Sequence, residues 1–334
     1  MCLFVAKRRT MSEPHVSVII GTYNRCDVLR GAIESLMNQD SGDTQYEVIV
    51  VDNNSTDDTR SMVESLRDKW GSNNLIYCFE RTQGVSHARN RGITVARGRL
   101  IAFTDDDIRP ARNWIASVRR GFEEFPNADC IGGRVLPQPS TQFPVWLTAK
   151  HWTPLALLDL GDEPIDLDVR NGPGLVAANM AVRAAVFADV GLFQPQLQRV
   201  KNGIGSMEDH EFQLRLSDAK KTLKYLPELV VHANVLPERL TKEYHRRWYR
   251  GHGYFYAVMR EGDFEASKMR VLDVPAHVYR RALSDVYLWM KYRLKNEPDL
   301  EFQHEVELSF FWGFFRKRLS DLRHSKTQET RKKT

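Results

Sequence analysis

The sequence is short of cysteine, of long uncharged runs and of glycine-rich phosphate loops, and each shortage excludes a class. Its four cysteines, Cys2, Cys26, Cys78 and Cys130, form no CxxC pair. Neither a zinc site nor a disulfide framework is expected, and a reducing cytoplasm fits best. The longest uncharged run, Val135 to Ala149, carries three prolines and falls short of the ~18 residues that span a bilayer. Near the start, apolar Leu3 to Ala6 precede the basic run Lys7-Arg8-Arg9, the reverse of a secretory leader. No Walker A sequence occurs. Gly203-Ile204-Gly205-Ser206 approaches a dinucleotide fingerprint but does not follow a first strand. Lys and Arg exceed Asp and Glu by 48 to 43, an excess too small to make nucleic acid the partner. With 42% hydrophobic residues in 334, there is ample material for one large or two modest cores.

What is present is alternation. Val16 to Ile20 reads as a buried strand ending in the polar turn Gly21-Thr22-Tyr23-Asn24. Leu29, Ile33, Leu36 and Met37 then recur at helical spacing. Tyr46 to Asp52 is a β-branched strand closed by an acid, and Ser55 with Asp58 predicts a capping box for a helix to Trp70. Leu75 to Phe79 is a third strand, Val85 to about Ala96 a helix, and Leu100 to Phe103 a fourth strand running into Thr104-Asp105-Asp106-Asp107. Pro110 is expected to open a further helix to about Phe125. This β-α-β-α-β-α-β order predicts a mostly parallel sheet with helices on both faces. Ligands in such sheets sit outside the carboxyl ends of the strands. Three strands here end in polar or acidic clusters, which is the most informative feature of the chain. Residues 137–175, rich in proline and glycine, read as long loops over that edge. Met207 to Leu216 is a short helix, Tyr225 to His232 a strand, and the chain after Pro237 is helical, aromatic and basic.

Several side chains carry chemistry. The adjacent carboxylates of Asp105, Asp106 and Asp107 repel one another and favour a hard divalent cation between them. They read equally as a solvated turn with Asp107 capping a helix. Asp52 is suited to accept hydrogen bonds from a ligand, or to satisfy its own turn. Arg89, one turn after Val85, would meet phosphate or base, or lie on a solvated face. Ser206 and Asp209 suit a capping box; alternatively, Glu208-Asp209 presents a general base at the mouth of the site. His232 closes a strand as a metal ligand or as a structural histidine.

Taken together these residues resemble the family 2 glycosyltransferases, inverting enzymes of the GT-A fold. Four blocks occur in order: VSVIIGTYNR, EVIVVDNNSTDDT, GVSHARNRG and FTDDD, followed by Glu208-Asp209 and His232. The resemblance implies an α/β, Rossmann-like, mostly parallel sheet with a helical C-terminal extension. The glycosyltransferase domain is expected over residues 15–236, with a nucleotide-binding half at 15–135 and an acceptor side at 136–236. Helices are expected over 237–324, with disordered ends at 1–14 and 325–334. A nucleotide-diphosphate sugar, by expectation a UDP-sugar, is the implied donor. Thr22 and Tyr23, with Asn24 and Arg25 after them, would line its pocket, together with Asp52 and Arg89. Asp105 would meet the ribose, and Asp106, Asp107 and His232 would hold Mn²⁺ or Mg²⁺. Asp209 matches the catalytic base, with Glu208 supporting it or binding the acceptor. The implied acceptor is a glycan or lipid-linked hydroxyl in cell-surface glycan synthesis, bound under residues 137–175 and near Asn179. A nucleotidyltransferase is disfavoured because no glycine-rich, lysine-bearing loop follows the first strand. A non-catalytic sugar or nucleotide-binding module is disfavoured by the intact Asp106 and Asp209.

The C-terminal third matches less. Trp289, Phe310, Phe311, Trp312, Phe314 and Phe315 lie among Lys and Arg. They either contact a cytoplasmic membrane face peripherally or pack the helices onto the domain.

Overall fold

The computed structural model describes residues 14–71, 74–198, 204–260, 265 and 269–331. Apart from Pro14, the expected N-terminal extension lies outside them, as do residues 332–334.

Nine strands build one sheet: β1 (Val16–Thr22), β2 (Tyr46–Asp52), β3 (Leu75–Phe79), β4 (Leu100–Asp105), β5 (Ile108–Pro110), β6 (Cys130–Pro137), β7 (Ile165–Asp166), β8 (Met180–Arg183) and β9 (Leu223–Ala233). Their order is β3-β2-β1-β4-β8-β6-β9-β5, with β7 on β9. The strands β3, β2, β1 and β4 are all parallel, as the alternation requires. Beyond β4 the sheet becomes mixed, because β8 runs antiparallel to both β4 and β6. Strand order reverses between β1 and β4, so a crevice opens there at the carboxyl edge.

The helices are α1 (Cys26–Met37), α2 (Thr59–Trp70), α3 (Val85–Val95), α4 (Trp114–Glu124), α5 (Val186–Val190), α6 (Glu208–Asp218), α7 (Lys242–Met259), α8 (Ala276–Leu294) and α9 (Pro298–Arg331). Strand alternation divides the core. Val16, Val18, Ile20, Val48 and Val50 meet Leu29, Ile33 and Leu36 of α1 on one face. Ile19, Ile49, Val51, Ile101 and Phe103 meet Ala88 of α3 and Phe212 of α6 on the other. Burial on both faces is why these strands read as continuous apolar runs instead of alternating ones.

Two local expectations are corrected. Pro110 ends β5, paired with Val231, and α4 begins only at Trp114. Ser55 caps no helix: α2 starts at Thr59, whose N–H and hydroxyl donate to Asp57 Oδ1 at 3.2 and 2.6 Å. Ser55 Oγ instead accepts from Asn24 N at 3.0 Å.

The C-terminal helices have their own small core of Ala257, Val278, Phe310, Phe311 and Phe314. Helices α7 and α9 touch where Gly253 lies on the Phe310 carbonyl and Gly313 on that of Arg250. A side chain at either glycine would push the helices apart. Much of the aromatic content is therefore packing. Helix α9 runs through Arg331, across the boundary expected at residue 325. Among the described residues, no helix is long and apolar enough to cross a membrane.

Two histidines are buried in this layer. His245 is 1% exposed against Trp146 and Phe302, and burial, then His151, pushes it down to about 4. His252 stacks on Trp248, and burial, then His210, pushes it down to about 3. Both are lowered from an ordinary value near 6.5. The unfolded chain therefore binds more protons below about pH 6.5, and stability falls as pH drops toward the folded values. Urea midpoints should decline between pH 7 and pH 4, and His245→Phe should flatten that decline. An unchanged pH profile in the variant would remove His245 as its cause.

Candidate active site

Strand register brings the three polar strand ends to one edge. Thr22 lies beside Asp52, and Gly21 beside Asp105. The loops after β1 and β2 are tied together. Thr56 N donates to Asn24 Oδ1 at 2.7 Å, and Cys26 N to Asp57 Oδ2 at 3.0 Å. Asn24 sits at φ 52°, a left-handed conformation that asparagine tolerates better than most residues. Tyr23 is half-buried at the same rim.

Asp52 is buried and doubly engaged. Its Oδ1 accepts from Ser55 N at 2.8 Å and its Oδ2 from the Tyr77 hydroxyl at 2.8 Å. Burial, then that bond and the Asp52 charge, raise the Tyr77 pKa. The carboxylate is thereby fixed in orientation at the sheet edge.

The three acids of the triplet differ sharply. Asp106 is 4% exposed; its Oδ2 accepts from Thr22 Oγ1 at 2.9 Å and its Oδ1 from Arg25 at 2.5 Å. The other arm of Arg25 donates to Asp107 Oδ2 at 3.0 Å, and Arg239 approaches the same oxygen at 3.7 Å. Asp105 is the most open of the three and lies 3.7 Å from Arg89. Burial raises the Asp106 pKa; Arg25 opposes this, but Asp107 and Asp105 add to it, and the value is pushed up to about 7. One arginine fork does not balance the negative charge collected here.

Arg89 is not on a solvated face. It is buried over the Phe193 ring and donates to Glu208 Oε1 at 2.9 Å. Burial opposes its charge, yet Glu208, Asp105 and Asp209 outweigh that and raise its pKa. Glu208 is itself 3% exposed. The next residue differs. Asp209 is half-buried, its Oδ1 accepts from His210 N at 2.9 Å, and no basic side chain is within ion-pair distance of it among the described residues. Consecutive positions at the start of α6 thus send one carboxylate into the protein and leave the other accessible. The expected Ser206 capping box is absent, because Met207 is the N-cap and no side chain caps the helix.

His232 lies opposite Arg109 in the ladder between β9 and β5. Among the described residues, no three His, Cys, Asp or Glu side chains converge as a ligand set. Asp106, Asp107 and His232 are therefore not preassembled around a cation: Arg25 holds the two acids, and His232 is fixed in the sheet. Asn179 is 1% exposed, accepts from Trp114 Nε1 at 2.7 Å and donates to the carbonyls of Arg134 and Leu229, both at 2.8 Å. Its side-chain amide is engaged inside the fold.

Tyr77 and Arg239 were not singled out by sequence reasoning. Tyr77 was discoverable, since pairing β3 on β2 places it opposite Val50, two residues from Asp52. Arg239 carried no such signal, because its position depends on the turn after β9.

An open α/β sheet with a switch-point crevice, strand-end carboxylates and an acidic helix start facing them defines a nucleotide-sugar transferase fold of the GT-A type. The chain belongs to glycosyl transferase family 2, whose family model matches residues 17–191, more than half its length. It is 28% identical over 226 residues to the glycosyltransferase AglE of Haloferax volcanii, covering 66% of this chain and 67% of that protein. Over 96 residues it is 40% identical to the GalNAc(5)-diNAcBac-PP-undecaprenol beta-1,3-glucosyltransferase of Campylobacter jejuni, covering 28% of this chain and 30% of that one. The chain thus spans about two thirds of one curated relative and under a third of the other. Its fold is similar to that of the mannosyltransferase PcManGT from Pyrobaculum calidifontis, in complex with GDP-Man and Mn²⁺. That likeness has a TM-score of 0.56 at 18% identity, over 95% of this chain and 76% of that one.

Proposed function

We propose that the protein is an inverting glycosyltransferase that moves a sugar from a nucleoside-diphosphate sugar to an acceptor hydroxyl. The observation that carries this reading is the division of labour between Glu208 and Asp209. Asp209, accessible and with no basic side chain within ion-pair distance among the described residues, takes the proton of the acceptor hydroxyl as that oxygen attacks the anomeric carbon. Glu208, buried against Arg89, holds the start of α6 in place. A retaining double displacement needs a carboxylate nucleophile, and Glu208, engaged and buried, is poorly suited to that role. One displacement therefore inverts the configuration.

On the donor side, Thr22, Tyr23, Asn24 and Arg25 line the nucleotide, Asp52 accepts from the base, and Asp105 meets the ribose. The triplet fits a divalent cation in its chemistry. It offers hard oxygen donors, and its two inner carboxylates already grip a cationic guanidinium. Asp106 and Asp107 would hold Mn²⁺ or Mg²⁺, which supplies charge neutralisation for the departing diphosphate. Calorimetric titration with UDP and with GDP, each with Mn²⁺, tests the donor site. One of them should bind, and Asp52→Asn should weaken it by about tenfold, the worth of a charged hydrogen bond. Equal binding by the variant would refute the role of Asp52.

The acceptor in this reading is lipid-linked through phosphate, as the name of the Campylobacter relative describes for that protein. The surface of α8 supports peripheral membrane contact on the cytoplasmic face. Leu283, Tyr287, Met290 and Leu294 recur along one stripe at 68, 62, 46 and 88% exposure. Arg280, Arg293 and Lys295 are exposed on the same helix or just after it. An apolar stripe flanked by cations suits an anionic lipid surface. Wild type should float with vesicles containing phosphatidylglycerol, and Leu283→Glu/Leu294→Glu should stay in the bottom fraction. Undiminished flotation of the variant would exclude α8 as the contact.

A further inference from the structure

A second cavity, of ≈530 Å³, lies between α7 and α9, outside the strand-end crevice. Its cationic lining is Arg247 and Arg250 from α7 and Arg316 and Lys317 from α9, and no Asp or Glu lines it. Lys317 is already paired with Asp321 at 2.6 Å. The three arginines are solvent-exposed and have no carboxylate within ion-pair distance among the described residues. Arg250 and Arg316 lie over the Trp312 ring, at 4.6 and 5.0 Å from its centroid. Stacking on one indole positions each guanidinium against the same ring and leaves its N–H edges available. Guanidinium groups that line one cavity beside an aromatic ring, with no acid among the lining residues, suit a phosphoryl oxyanion.

The cavity is joined to the reaction site by its remaining wall. Ile204 lines it, and the Ile204–Gly205 backbone packs directly on Gly251 of α7. Ile204 lies five positions before Asp209, no more than about 18 Å of fully extended chain. An anion in this cavity is therefore within a short molecular span of the base.

We infer that this cavity is a phosphoanion subsite that takes the phosphate or diphosphate group of the acceptor while its sugar hydroxyl reaches Asp209. The inference rests on the acceptor reading above and deepens it: the arginines read the phosphate, and Trp312 and Tyr254 offer apolar surface to what is attached beyond it. The bond made and the bond broken are those of the sugar transfer already described; the subsite itself performs no chemistry.

The test needs no donor and no transfer, so its failure is separate from failure of the glycosyltransferase reading. The full chain is labelled with 5-fluorotryptophan, and the Trp312 resonance is assigned by its loss in Trp312→Phe. Inorganic pyrophosphate is then titrated with the protein saturated by nucleoside diphosphate and Mn²⁺, followed by ¹⁹F NMR. The Trp312 resonance should move saturably, and Arg250→Gln/Arg316→Gln should weaken the response by about tenfold or more. The other tryptophan resonances of the variant should match those of wild type, which keeps a folding defect distinguishable. A Trp312 resonance unmoved by pyrophosphate, or an equal response in the double variant, would overturn the subsite. A parallel arm uses vesicles of phosphatidylcholine with and without phosphatidylglycerol. Arginine-dependent flotation on the anionic vesicles, combined with no pyrophosphate response, would overturn the acceptor pocket in favour of a lipid-headgroup patch.

Discussion

Replacing Asp209 with Asn should slow sugar transfer by about 10²- to 10⁴-fold, the usual worth of a positioned general base. Donor affinity should stay within about twofold, because the group lost acts chiefly in the transition state. The change is nearly isosteric, and the Asp209 carboxylate makes one local bond, to His210 N at 2.9 Å. Stability should accordingly be little altered. Glu208→Gln should behave differently, disturbing the start of α6 through its bond to Arg89. A rate that survives in Asp209→Asn would show that another group accepts the proton.

The largest effect on stability is expected from Arg89→Met. Arg89 is 6% exposed and sits between Glu208 at 2.9 Å and Asp105 at 3.7 Å. Methionine roughly keeps the apolar stem over Phe193 but leaves Glu208 buried without its cation. Breaking one partner of a buried pair costs about 3–5 kcal/mol. Urea unfolding of the single variant should show that loss. Adding Glu208→Gln should restore part of it, because the stranded charge is then removed, and the deficit of the double variant should be smaller than the sum of the singles. Simple additivity would mean that the two side chains do not act as a pair. The same ion pair links α3 to α6, and so the nucleotide side of the site to the base.

The sheet edge was legible because three signals agreed. Strand runs such as Val48 to Val51 are continuous, alternation with helices fixes parallel pairing, and three of the four parallel strands close in a polar or acidic residue. That was enough to bring Thr22, Asp52 and Asp105 together. The corrections share a physical cause. Ser55 and Ser206 look like helix caps in one dimension, but the first is drawn to Asn24 of a neighbouring loop and the second is displaced by Met207 as N-cap. Asn179 and Arg89 were ambiguous because sequence does not reveal burial. Each is satisfied by partners far along the chain, Asn179 by Trp114 and Arg89 by Glu208. The basic surplus noted in the composition has resolved into at least two uses. Arg25, Arg89 and Arg239 balance the acids of the site, whereas Arg247, Arg250 and Arg316 have no acid within ion-pair distance among the described residues.

The most direct measurement is turnover of a panel of nucleoside-diphosphate sugars by the full chain with Mn²⁺ or Mg²⁺, reading nucleotide release and the anomeric configuration of the sugar product by ¹H NMR. At least one donor should be consumed, its sugar should appear first in the inverted configuration, and Asp209→Asn should suppress the reaction. Consumption of no donor, or a product of retained configuration, would contradict the assignment of a single displacement driven by Asp209.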